Sequence, residues 1–279
     1  RIVGVTAKVA VTSRPEEGDR TGAVQRIDRS ALTNFQFLDY LRAFLNNRLG
    51  WTRWNFMLCS VGAFAIWRRD VVAELGGFSG AFTCEDIEFT FRVHEAFRQA
   101  RRPCRIVALP DTVGRTEGPD TVARLVSQRA RWQRVITETV WAYRRMFLNP
   151  RYGSVGLLGM PFYVVVEVLA PLFQVLAVAL VPLAAALGLL ALREFLLLLL
   201  TVAFVNGALS NVAVLLHDAT ARSHPLRDLV RLMLLGPLDL FWYRPILFYA
   251  QAKGAVDFLR GEKRWNKFER NRRHGPAPV

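Results

Sequence analysis

Residues 195–216 read FLLLLLTVAFVNGALSNVAVLL, without a charged side chain over 22 positions. Just ahead, residues 168–192 read VLAPLFQVLAVALVPLAAALGLLAL, uncharged over 25 positions. A helix needs roughly 20 apolar residues to cross the core of a bilayer, and each run exceeds that. Both read as membrane spans joined by a tight hairpin at Arg193-Glu194, with Pro171 and Pro182 free to kink the first. Composition agrees with segregation along the chain. Hydrophobic residues make up 52% of 279 and charged residues 22%, with most of the charge in residues 1–150.

The flanks extend the membrane region over residues 151–252. Residues 154–167 are apolar up to Glu167 and read as an interfacial helix entering the first span. After the second span, His217 to Arg231 carries Arg222, Arg227 and Arg231, which the positive-inside rule places in the cytoplasm. Residues 232–250 are apolar but broken by Pro237, Asp239, Arg244 and Pro245. They are expected to form a re-entrant or third segment that keeps the basic tail, residues 253–279, inside. The net charge of +14 then follows from membrane orientation, and no nucleic-acid partner is expected. The expected location is the cell membrane, multi-pass.

Residues 1–150 alternate strand and helix, which argues α/β. Ile2 to Val11 reads as a buried strand, residues 12–22 as a polar loop, and residues 24–50 as a helix with Leu32, Phe35, Leu38, Leu41 and Leu45 at helical spacing. Met57 to Trp67 reads as a strand broken at Gly62, and Gly76-Gly77-Phe78 as a turn. Ile87 to Gln99 reads as a helix with Cys84-Glu85-Asp86 at its mouth. Pro103 to Pro110 reads as a strand, Thr116-Glu117-Gly118-Pro119 as a loop, and a long helix capped by Asp120 or Thr121 runs to about Phe147. The chain opens in mid-strand, so an N-terminal portion is expected to precede Arg1. Cys59, Cys84 and Cys104 have no metal-ligand spacing, and their odd number argues for reduced thiols.

Two constellations carry chemistry. Gln128, Arg131 and Trp132 fall at i, i+3 and i+4, on one helix face. They offer an amide, a guanidinium fork suited to a diphosphate, and a flat indole suited to a sugar ring. Taken alone, such a face is more often a surface helix with one buried Trp. Glu85-Asp86 is most often a helix cap, but a carboxylate there can accept the proton that a sugar hydroxyl loses as it attacks. Small residues at Cys59-Ser60-Val61-Gly62 could admit a sugar close to the backbone.

In order, Cys59-Ser60-Val61-Gly62-Ala63-Phe64, Arg68-Arg69, Gly76-Gly77-Phe78, Cys84-Glu85-Asp86, Thr116-Glu117 with Pro119, and Gln128-Arg129-Ala130-Arg131-Trp132 resemble processive, membrane-bound family 2 glycosyltransferases. That group includes the synthases of cellulose, hyaluronan, chitin and poly-N-acetylglucosamine. Trp265-Asn266-Lys267-Phe268-Glu269-Arg270 resembles the closing motif of some members. The resemblance implies a partial GT-A domain in residues 1–150, its acceptor half, facing the cytoplasm ahead of α-helical transmembrane segments. It implies inverting transfer from a nucleotide-sugar donor to a glycan or lipid-linked acceptor at the bilayer, with polysaccharide synthesis as the outcome. Asp86 would be the general base with Glu85 beside it, and Gln128 and Arg131 would hold the nucleotide diphosphate. Trp132 would stack on the acceptor, with Cys59, Ser60 and Gly62 along its path.

Cys84 stands where the family usually has Thr. The family's Asp-x-Asp, which holds Mg²⁺ or Mn²⁺, occurs nowhere in these 279 residues. The metal ligands of the intact enzyme are therefore expected outside this chain, which alone should be inactive. Two rivals follow: a catalytically dead membrane remnant or scaffold of such an enzyme, and a basic membrane-surface or nucleic-acid binder. The ordered acidic motif argues against the second.

Overall fold

A computed structural model describes residues 1–12, 27–221 and 224–262. Its central strand is β1 (Ile2–Thr12). Val3, Ala7, Val9 and Val11 are buried, and so are Thr6 and Lys8 at intervening positions, so both faces of β1 are covered. The described sheet has three strands in the order β2-β1-β3. β2 (Ala65–Trp67) is antiparallel to β1, and β3 (Arg105–Glu117) is parallel to it. A parallel partner requires a crossover, which the intervening helices supply.

Two strand expectations change. Met57 and Leu58 are fully buried, yet only Ala65–Trp67 of the 57–67 run joins the sheet, because Gly62–Phe64 turns as a 3₁₀ segment. That apolar run reflects burial, not pairing. β3 is longer than its apolar stretch: Thr116 and Glu117 lie beside Val11 and Thr12 instead of in a loop.

Ser30 starts α1 (Ala31–Leu41), its hydroxyl accepting the Thr33 N–H at 3.3 Å. The chain stays helical through a π segment, Arg42–Arg48, into α2 (Leu49–Trp54). The helix expected over 24–50 thus starts at Ala31 and ends at Trp54, with residues 24–26 outside the described set. α3 (Arg69–Glu74), α4 (Glu85–Gln99) and α5 (Val122–Ala142) follow, the last capped by Thr121. The core gathers Met57 and Leu58, Phe89 and Phe91 of α4, Ile106 of β3 and Val135 of α5. His94, fully buried, donates to Met57 O at 2.8 Å, and burial depresses its pKa to about 4. It is a neutral core histidine.

Residues 155–168 form a helical run of π turns around α6 (Met160–Phe162), bent by 42° against α7 (Ala170–Ala186). α8 spans Leu192–Ala221. Over Leu192–Thr220 it is the one described helix long and apolar enough to cross a membrane, and the bent pair passes the same test jointly. The turn expected at Arg193-Glu194 comes earlier, at residues 187–191, where Gly188 adopts φ +69° and ends α7. Arg193 and Glu194 open α8, the acid favoured there by the helix dipole.

α8 also continues through His217. The apolar segment at 232–250 is divided between α9 (Leu226–Leu238) and α10 (Tyr243–Leu259), with the break at buried Asp239. Arg227 and Arg231 therefore sit on α9, while Arg222 and the Trp265–Arg270 motif lie outside the described residues. α10 packs along α5, α9 packs along α8, and Lys8 Nζ reaches His217 Nδ1 at 3.0 Å, joining β1 to α8.

Candidate active site

Cys84 precedes α4, and Glu85, Asp86 and Glu88 occupy its first turn, where backbone N–H groups lack helical partners. Glu85 is exposed and Asp86 half-buried. Asp86 Oδ2 accepts the Gly62 N–H at 2.8 Å, and Oδ1 accepts the Ile87 N–H at 2.9 Å. Burial raises the Asp86 pKa. The two N–H bonds pull it back, and neighbouring Glu85 raises it again, leaving it above the ordinary carboxylate value. That is a carboxylate fixed in place whose basicity is enhanced.

Ser60 is buried. Its hydroxyl donates to Asp86 O at 3.2 Å and lies 2.8 Å from Thr90 Oγ1. Sequence placed it on an acceptor path; here it ties the segment before Gly62 to the first turn of α4. Cys59 is half-buried, its carbonyl accepting Arg48 Nε at 3.2 Å and its sulfur 3.5 Å from Arg48 Nη2. Burial raises the Cys59 thiol pKa and takes that of Cys84 to about 12, with the Asp86 carboxylate adding to both. Both are neutral thiols near neutral pH.

α5 stands across from this turn. The Arg131 guanidinium opposes the rise in the Cys84 pKa, so it lies within electrostatic reach of that thiol. Arg134, one turn further on, donates to Thr83 Oγ1 at 3.3 Å and pins α5 to the loop that leads into α4. Gln128 Oε1 is buried and has no hydrogen-bond partner among the described residues. Arg131 and Trp132 lean toward different neighbours. Trp132 turns to α1, its ring centroid 6.2 Å from that of Tyr40. A series of contacts leads from there back toward Asp86. Tyr40 meets Phe44 at 6.3 Å, Arg48 lies 4.3 Å over the Phe44 ring, and Arg48 holds Cys59, whose thiol feels the Asp86 charge.

Tyr40, Arg48, Arg129 and Arg134 were not singled out from sequence. Arg134 could have been, at i+3 from Arg131. Arg48 and Tyr40 reveal themselves only when α1 is folded against α5. Among the described residues no group of three His, Cys, Asp or Glu side chains could hold a metal ion, and Asp86 already serves two N–H donors. The described residues do not fit the Mg²⁺ or Mn²⁺ that the resemblance implies, so no step is derived through it.

The Arg134–Thr83 bond and the reach of Arg131 to Cys84 thus bring α5 beside the acidic first turn of α4. The model of glycosyl transferase family group 2 matches residues 21–205, and the chain belongs to that family. The match contains every candidate site residue named above. Membership carries with it transfer of a sugar from a nucleotide-sugar donor to an acceptor. No curated protein matches the chain.

Proposed function

We propose that this chain carries the acceptor half of a membrane-bound, inverting glycosyltransferase that builds a polysaccharide or extends a lipid-linked glycan. Residues 1–150 face the cytoplasm, residues 151–252 lie in or on the membrane, and the basic residues 253–279, the first seven of which complete α10, lie on the cytoplasmic side. The acceptor hydroxyl attacks the anomeric carbon of the donor, a new C–O bond forms, and the bond to the nucleoside diphosphate breaks on the opposite side. Asp86 takes the hydroxyl proton, with Glu85 beside it. Gln128 and Arg131 receive the diphosphate as its charge grows, and Trp132 stacks on the acceptor sugar. Cys59 and Gly62 line the acceptor path, with Ser60 behind them. The nucleotide-binding half and its metal ligands lie outside these residues.

The observation that carries this reading is the state of Asp86. Two backbone N–H groups fix its carboxylate beside exposed Gly62, while burial keeps its pKa high. A cap needs the first property and gains nothing from the second. The exposed apolar side chains of α7 and α8, such as Leu180, Leu200 and Phe204, support the membrane setting.

The test uses full-length protein in membranes with a panel of radiolabelled nucleotide sugars. Asp86→Asn should reduce transfer by about 10²-fold or more while nucleotide binding stays largely intact, the range expected for a general base. Unchanged turnover would refute the assignment. Absence of transfer from every donor by the unaltered enzyme would favour the dead remnant.

A further inference from the structure

Arg129 lies inside the Gln128–Trp132 motif, yet neither diphosphate binding nor stacking employs it. Its guanidinium carbon sits 4.5 Å from the Trp132 ring centroid and 5.7 Å from that of Tyr40. The two rings are 6.2 Å apart, so the cation packs against both. Arg129 Nη1 is 3.0 Å from Asp39 Oδ2, and Nη2 donates to Tyr243 Oη at 3.3 Å. The side chains of Arg129 and Asp39 are only 12% and 18% exposed. One anchor therefore comes from α1 and the other from α10, and both hold a cation from α5 against an indole on the same helix.

We propose that Arg129 is a positioning residue for transfer: anchored by Asp39, it fixes the Trp132 indole in the orientation that receives the acceptor sugar. This rests on the reading of Trp132 as the acceptor's stacking surface. The physical need is plain. An indole that is free to rotate about χ1 and χ2 offers its face for only part of the time, and misplacement of about 1 Å near a reacting centre can cost about 10²-fold. A guanidinium is attracted to the ring face and is held in plane by a carboxylate. Glutamine, neutral and shorter, supplies neither restraint.

Two readouts separate the clamp from the reading beneath it. The first needs no turnover: the emission of Trp132, obtained as unaltered protein minus Trp132→Phe, and its quenching by acrylamide. Arg129→Gln should increase that quenching, and Arg129→Lys, which keeps the charge, should lie between. The second is transfer to the enzyme's own purified product as acceptor. Arg129→Gln should lower kcat/KM for that acceptor by about tenfold or more, with the donor KM changed less than about threefold and Arg129→Lys recovering part of the loss. Should Arg129→Gln fail to accumulate, Asp39→Asn keeps the cation, removes its anchor and serves the same comparison.

A Trp132 signal unmoved in these variants overturns the clamp. Equal losses toward donor and acceptor, or no recovery with lysine, also overturn it. A freed Trp132 with unchanged acceptor use overturns it through the underlying role of Trp132, whereas Asp86→Asn tests the general base independently of both.

Discussion

At the scale of the residue, the sharpest constraint in the site is the contact between Gly62 and Asp86. A Cβ placed on Gly62 would stand 2.8 Å from Asp86 Oδ2 and 3.1 Å from its Cγ. Gly62 is exposed, so the fold can absorb a methyl group, and the part that must move is the end of the Asp86 side chain. Gly62→Ala is expected to displace the carboxylate and break its bond to the Gly62 N–H. That bond lowers the Asp86 pKa, so losing it moves the pKa further up. A base acts only when ionised, and activity is lost as pH falls through its pKa. The acid limb of kcat/KM against pH should therefore shift to higher pH. Turnover at neutral pH should fall by about tenfold or more, while the melting temperature moves by less than about 2 °C. An acid limb that stays in place would disconnect Gly62 from the base. Sequence offered both residues as site candidates, but not their contact, because 24 positions separate them and docking of the 3₁₀ segment on α4 brings them together.

At the scale of the element, the helix that carries the Gln128–Trp132 motif is set by its fit against α10. A Cβ on Gly254 would lie 2.2 Å from Ala130 O and 2.8 Å from Gln133 Cβ. The nearest atom is backbone in the middle of the motif, so neither helix can yield locally. Gly254→Ala must push α10 away from α5, at a cost of about 1–3 kcal/mol for an overpacked contact. The melting temperature should drop by about 5 °C. Transfer should fall as well, because Gln128, Arg131 and Trp132 move with α5. A thermal melt and a transfer assay on the same preparation check both, and a variant equal to the parent in both would show that α10 does not set α5. Legibility at this scale followed periodicity. β1, α4 and α5 were readable because their apolar spacing and caps were local signals. The strand at 57–67 misled because a buried extended run and a paired strand share one pattern. The interruption at Pro237 and Asp239 was legible and falls between α9 and α10, but the burial of Asp239 was not, because its partners lie elsewhere in the chain. The position of α10 on α5 left no trace beyond a glycine.

At the scale of the whole molecule, a buried ionic knot fastens the α/β part to α8, α9 and α10. Arg42, in the π segment after α1, lies 2.6 Å from Asp239 Oδ2, and its Nη1 donates to Ser210 Oγ at 2.9 Å and to Asn206 Oδ1 at 3.2 Å. Asn206 Nδ2 donates to Gly236 O at 3.0 Å, and Arg244 reaches Asp239 at 3.2 Å. The partners of these polar positions of α8 are helix neighbours and Arg42. The knot continues to Asp39. Burial would raise its pKa, but Arg129, Arg42 and Arg244 together hold it below the ordinary value. The Gln128–Trp132 stretch of α5 and helices α8 and α9 are thus joined through Arg129, Asp39, Arg42 and Asp239. Asp239 is the member with most to lose, being 1% exposed and facing two arginines. Asp239→Ala takes from Arg42 its nearer counter-charge, leaving it Asp39 at 3.5 Å, and takes from the partly exposed Arg244 its carboxylate partner, at a cost of about 3 kcal/mol. Asp239→Asn keeps the shape and one acceptor, so it should fall between that variant and the parent. In detergent the melting temperatures should rank parent, Asp239→Asn, Asp239→Ala. About 0.5 M salt should move the parent little, because screening acts on exposed charges far more than on buried ones. An Asp239→Ala variant that melts with the parent would mean that apolar packing of α8 and α9 alone holds the two parts together, and that coupling of α5 to these helices does not run through this knot.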